Sequence, residues 1–159
     1  MHVASIVIVF LSRCLLIALF LPFSALDKVL NTRQAVAQAQ DVIATRKMAT
    51  VFIIVGGLVE IFMSLALLTG VADRLASFIF GGYCLTTAVL WKRFWMTRDF
   101  RLQGSSKGRD VFWDFLKNLA LAGAFFLLAF GNSASGVREF LLHPLASTHP
   151  YQIATEQGR

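Results

Sequence analysis

Arg13, Glu60 and the trio Asp114, Lys117 and Asn118 are the residues of this chain whose chemistry asks for an explanation, because all of them stand inside long apolar runs. Moving such a charge to the centre of a bilayer costs roughly 2.5–3.5 kcal/mol on insertion scales, so charges at that depth face protein and find partners. Arg13 lies ten residues into one run and Glu60 twelve into the next, which puts both near mid-depth and predicts that they meet as an ion pair. A pair of this kind either fixes helix register or forms part of a proton or quinone-headgroup site. Asp114, Lys117 and Asn118 follow at i, i+3 and i+4 and share one helical face. Asp114 is expected in the first turn of its helix, near the positive end of the dipole and paired with Lys117, whose ammonium also extends toward the headgroups. Two readings of the trio stay open: a self-satisfied interfacial cluster, or an anion or headgroup site shared with Arg13 and Glu60.

The elements that must position these residues follow from hydropathy. The chain has 159 residues, 57% hydrophobic and only 15% charged, and its mean hydropathy is +0.66. A soluble domain is about a quarter charged, so this composition belongs in a bilayer. Apolar blocks at 3–26, 48–70, 75–91 and 112–131 approach or exceed the ~20 residues that a hydrocarbon layer of ~30 Å requires. The blocks lack the alternation of a membrane barrel, and a spanning backbone must satisfy its own hydrogen bonds. The expected fold is therefore all-α, a bundle of four transmembrane helices over residues 1–131, followed by a short amphipathic segment and a loosely ordered tail over 132–159. Only Met1 and His2 precede the first block, and Phe23 would stand three residues before a cut after Ala25, so that block reads as a span rather than a cleaved leader. The third block is short and is expected to be completed by Arg74 and Lys92 reaching toward the headgroups. In the first loop, Val36, Ala39 and Ile43 allow either an interfacial helix or a solvated connector.

The net charge of +6 does not point to nucleic acid. Ten of the fifteen Lys and Arg residues lie in the two loops 27–47 and 92–110, the distribution of a topology signal. The expectation is a multi-pass membrane protein with both loops cytoplasmic and both termini outside. Trp91, Trp95 and Trp113 then lie at the cytoplasmic boundary as interface anchors. Cys14 and Cys84 form no ligand-spaced set and read as buried apolar residues, with a disulfide between the first and third spans as the second choice. Small residues at Ser77 and Gly81, and at Ala120, Gly123 and Ala124, mark candidate close approaches between helices.

The three histidines, His2, His143 and His149, lie near the chain ends, where they offer no facing pair for a haem, and no Cys or His set has zinc or iron–sulfur spacing. No phosphate-binding loop, dinucleotide fingerprint or nucleophile elbow occurs. A self-contained catalytic motif is not visible.

The run F-L-K-N-L-A-L-A-G at 115–123, Arg74-Leu75-Ala76 opening the third block, central Glu60 with Gly70 closing the second, R-x-x-L-x-x-x-F from Arg13 to Phe20 followed by Lys28, and Phe94-Trp95 stand together in this chain. In these stretches it resembles the DoxX family of small bacterial membrane proteins, which implies a bacterial cytoplasmic membrane. The resemblance implies a four-helix membrane bundle; the name-giving members are associated with a terminal quinol oxidase and with thiosulfate:quinone oxidoreductase complexes. By that likeness Arg13, Glu60, Lys117 and Asn118 match positions where the family carries polar residues within its spans. Lys92 stands where a His often precedes the Phe-Trp pair, Ser64 where a Gly is common, and Pro22 interrupts the end of the first block.

Three functional classes remain open on these grounds. The favoured one is an integral subunit that anchors or assists a quinone-linked redox complex, with quinone bound at an interface and a protein partner in the membrane. The alternatives are a small transporter acting as a homo-oligomer, since one four-helix chain leaves little interior room, and an assembly or structural factor.

Overall fold

The computed structural model describes residues 2–152. Helix α1 (His2–Ile17) passes through a wide π-helical turn (Leu19–Ser24) into α2 (Ala25–Leu30), and α3 (Thr32–Gln40) follows almost at once. Then come α4 (Arg46–Thr69), α5 (Asp73–Trp91), a 3-10 turn (Phe94–Met96), α6 (Lys107–Phe130) and α7 (Ala134–Leu142). No strand occurs among the described residues. Four stretches are long and apolar enough to cross a membrane: His2–Leu30, Arg46–Thr69, Asp73–Met96 and Lys107–Phe130. The expected all-α bundle of four spans is what the chain forms.

The first span does not stop at residue 26. Proline lacks an N–H and its ring clashes with the carbonyl four residues back in an α-helix, and a wider turn relieves that clash. Pro22 sits inside the π turn, and the chain stays helical through Lys28 to Leu30. The other spans begin and end on local signals. Thr45 Oγ1 accepts from Met48 N at the start of α4, and Ser106 Oγ from Arg109 N at the start of α6. Asp99 accepts from Lys107 N and Gly108 N, adding a carboxylate at that positive helix end. Gly70 closes α4 at φ 76°, a left-handed conformation suited to glycine.

Rings and small residues bind the spans together. Phe20, Phe80 and Phe125, from the π turn, α5 and α6, meet with centroids 4.6–5.7 Å apart beside Ile17, Leu67, Ala76, Cys84 and Ala122. Edge and offset ring contacts of this kind add to the area they bury. The opposite faces of the spans carry exposed Leu15, Leu58, Phe62 and Leu127, as expected where lipid tails cover a helix. Gly81 does admit α6 closely, since a Cβ there would stand 2.6 Å from Phe126. Gly123 has open space around it and Ala120 is exposed, so the α6 small-residue stripe is not used within the chain; Ala122 and Ala129 pack instead. Cys84 is in the core, Cys14 is partly buried, and both are free thiols rather than a disulfide.

Of the two readings of the first loop, the helix is the one realised: Val36 and Ala39 are buried against Ala49, with Ile43 and Ile53 beside them. The tail is more fixed than expected as far as Gln152. Thr148 N donates to Asp73 Oδ1 at 2.8 Å, the Tyr151 hydroxyl donates to the Leu68 carbonyl, and Pro150 lies against Gly70. Burial raises the Tyr151 phenol above its ordinary pKa, which keeps it a donor. Residues 153–159 of the expected tail lie outside the described residues.

Candidate functional site

Arg13 and Glu60 do not pair. Each is buried, at 6% and 1% exposure, in a separate cluster. Arg13 donates to Asp73 Oδ2 at 2.7 Å, to the Leu67 carbonyl at 2.6 Å and to Thr148 Oγ1 at 2.8 Å. The expectation of mid-depth pairing fails because it assumed that the spans start level. Arg13 faces Asp73 and Phe20 faces Phe80 in one register, so the first turns of α1 run past the start of α5. Helical side chains also lean toward their own N-terminus, which carries the guanidinium to the α4–α5 turn.

Glu60 finds its partners on the other side of the ring stack. Its Oε1 accepts from Lys28 Nζ at 2.6 Å, Tyr83 hydroxyl at 2.8 Å and Ser24 Oγ at 2.9 Å. Lys28 Nζ also donates to Ser24 Oγ at 2.6 Å. Three donors on one oxygen fit an ionised carboxylate. The other oxygen, Oε2, is buried and has no partner among the described residues, and neither has Ser64 Oγ.

This cluster lies against a cavity of about 580 Å³ lined by residues of the π turn, α2, α3, α4, α5 and α6. Leu19, Phe20, Phe52, Ile53 and Leu121 line it, and toward the end that carries the loops stand Trp91, Lys92, Asp114, Lys117 and Asn118. The volume is within the range of small-molecule sites, and apolar side chains share the lining with three carboxylates and three lysines. Packing does leave interior room in a single chain, contrary to the sequence-based expectation. Gly56 lines it, and a Cβ there would stand in ordinary contact, 3.6 Å from the Tyr83 hydroxyl.

The trio on the cavity lining is joined as expected, with one addition and one correction. Lys117 Nζ reaches Asp114 Oδ1 at 3.4 Å, Asn118 Nδ2 donates to the Asp114 carbonyl at 2.9 Å, and Lys92 Nζ adds a second cation on Asp114 Oδ2 at 3.2 Å. Because α6 begins at Lys107, Asp114 lies about two turns in, and its partners are the two lysines rather than the helix dipole. Lys92 and Arg74 do not both reach for headgroups. Arg74 turns inward, its Nε donating to the Ala129 carbonyl at 3.0 Å at the end of α6.

The DoxX family model matches residues 8–93, more than half of the chain. The protein belongs to the DoxX family. No curated protein and no solved structure matches it. The matched segment of this DoxX protein carries Arg13, Ser24, Lys28, Glu60, Asp73 and Tyr83, whereas Asp114, Lys117 and Asn118 lie beyond it, as does the 115–123 run that resembles the family.

The cavity thus gathers Glu60, Asp114, Lys117 and Asn118 and leaves Arg13 out. Trp91, Trp95 and Trp113 fall together at the loop end, Trp91 on the cavity wall and the other two in the ring cluster around Phe94, Phe112 and Phe115. Sequence reasoning missed Ser24, Lys28, Asp73 and Tyr83 as partners. Ser24 and Lys28 were legible as an i, i+4 pair, had the helix been carried through Pro22.

Proposed function

We propose that this DoxX-family protein is an integral membrane subunit that holds the polar head of a quinone-type molecule for a redox partner. The observation that carries the reading is the cavity itself, where apolar side chains stand beside the Glu60, Lys28 and Tyr83 cluster. Asp27, Glu60 and Asp114 are matched there by Lys28, Lys92 and Lys117, which suits a neutral head better than an ion. Lys28 and Tyr83 would hold the head while Leu19, Phe52 and Leu121 enclose it. A quinone, when bound, supplies reversible transfer of two electrons and two protons. Beyond the Glu60 cluster, the Phe20–Phe80–Phe125 stack and the Arg13–Asp73 pair fill the bundle toward the turn end. That favours holding a ligand over passing one straight through. In orientation, the lysine- and arginine-rich loop end belongs in the bacterial cytoplasm, with both termini outside.

Purification in mild detergent, with solvent extraction of bound lipids and identification of co-eluting chains, tests the reading. A quinone at near-stoichiometric yield together with a haem- or flavin-containing partner is the expected result. A homo-oligomer free of quinone that conducts ions in liposomes on its own would replace it with the transport reading.

A further inference from the structure

We infer that the loop joining α5 to α6 is a platform for anionic phospholipid headgroups of the leaflet that the loop end faces. None of the residues that build it, 93–110 with Trp113, lines the cavity, so the inference stands apart from what the cavity holds. The height of the loop is set by its neighbours. One candidate span runs to Met96 and the next begins at Lys107, so residues 97–106 stand where the bilayer gives way to water.

This loop has a frame. Asp99 accepts from Lys107 N at 2.8 Å and Gly108 N at 3.1 Å, and Arg109 Nη1 donates back to the Gly104 carbonyl at 2.9 Å. Gly108 is buried so closely under the loop that a Cβ there would stand 2.7 Å from Phe100 Cα. The Phe94 ring lies 5.1 Å from that of Phe100 and 5.0 Å from that of Phe112, which ties the loop to α6. On this frame Trp95, Met96, Leu102 and Trp113 remain 47–65% exposed. Indole rings and apolar side chains at that height suit the boundary between acyl tails and headgroups.

Charge says which headgroups. Residues 93–110 carry Arg93, Arg98, Arg101, Lys107 and Arg109 against Asp99 and Asp110, and Asp99 is already engaged by two backbone N–H groups. Arg93, Arg98 and Lys107 have no side-chain hydrogen bond or ion pair among the described residues. A cluster of this size beside a span draws anionic lipid, each cation adding to the attraction. The other loop at the same end offers less. Arg33 is separated from Arg46 and Lys47 by most of α3, Asp27 and Asp41 offset them, and Lys28 is taken by Glu60. An acidic protein would satisfy the cations as well, but exposed apolar side chains at the level of the span ends favour lipid.

Native mass spectrometry of the full chain in mild detergent, with equimolar phosphatidylglycerol and phosphatidylcholine of the same acyl chains, tests this. The wild-type protein is expected to retain phosphatidylglycerol about tenfold more readily, with the preference shrinking at high ammonium acetate. Arg93→Gln, Arg98→Gln and Lys107→Gln together should remove most of it. Arg33→Gln, Arg46→Gln and Lys47→Gln take the same charge from the other loop and should leave it near wild type. Equal retention of the two lipids or a preference indifferent to salt would overturn the inference; so would a preference that survives the first triple variant or falls as far in the second. Retention of neither lipid would overturn it too and pass the surface to an acidic protein. Should the first triple variant fail to assemble, Arg98→Gln alone, at an exposed position, is expected to give part of the same fall, and no fall would sink the inference.

Discussion

Two buried ionic clusters lie in one small bundle, and they differ in what they have left over. At the turn end, Arg13 and Asp73 are closed in by the Leu67 carbonyl and by Thr148, which serves both of them. At the loop side, Glu60 has three donors crowded on one oxygen and none on the other, beside a cavity. Burial of charge is common to both and so marks neither as functional. An unpartnered carboxylate oxygen in a residue that lines a cavity is the distinguishing property. The first cluster has the form of a clasp; the second is the one to which the proposed function assigns a ligand.

The sharpest way to break this contrast is Asp73→Ala, which leaves the Arg13 guanidinium buried and unpaired. A loss of about 3–5 kcal/mol is expected, read as thermal unfolding in detergent. The double variant Arg13→Met with Asp73→Leu should recover most of it, because apolar replacement of both partners of a buried pair is often neutral. Recovery that fails would mean that the clasp does more than hold helices together.

Glu60→Ala is expected to cost less stability, about 1.5–3 kcal/mol, because the partly exposed Lys28 can withdraw toward the loop end once its partner is gone. Ligand affinity should fall in that variant and remain near wild type in the Arg13→Met, Asp73→Leu double variant. A reversed ranking of the two clusters in stability would undo the comparison.

Ending the chain after Ser147 removes the Thr148 and Tyr151 hydrogen bonds, for an expected loss of about 1–2 kcal/mol with cavity binding unchanged. The smallest effect belongs to Lys117→Gln on the cavity lining. Lys117 is 71% exposed at the side chain, so less than about 1 kcal/mol is expected, and the difference should shrink in high salt.

Hydropathy was enough to read the four spans, because each must be long and apolar whatever it packs against. The residues worth asking about were legible too, since a charge in an apolar run stands out. Their partners were not. Asp73 read as part of a tight turn and Lys28 as a loop charge, and only the relative height of the spans brings them to Arg13 and Glu60. Height depends on packing between helices, here the Phe20–Phe80–Phe125 contact, which no local pattern specifies. Tyr83 was hidden for a different reason. An aromatic ring in an apolar run reads as filler until its hydroxyl is seen beside a carboxylate.

The wide turn around Pro22 sets the phase of everything that follows it. An inserted residue in a helix amounts to about 100° of azimuth, so the bulge decides which way Ser24 and Lys28 face as well as sparing a clash. Removing a single residue between Leu19 and Ser24 would rewind the segment and swing the Lys28 ammonium away from Glu60. The wiring of the Glu60 cluster hangs on that one extra step in the spiral.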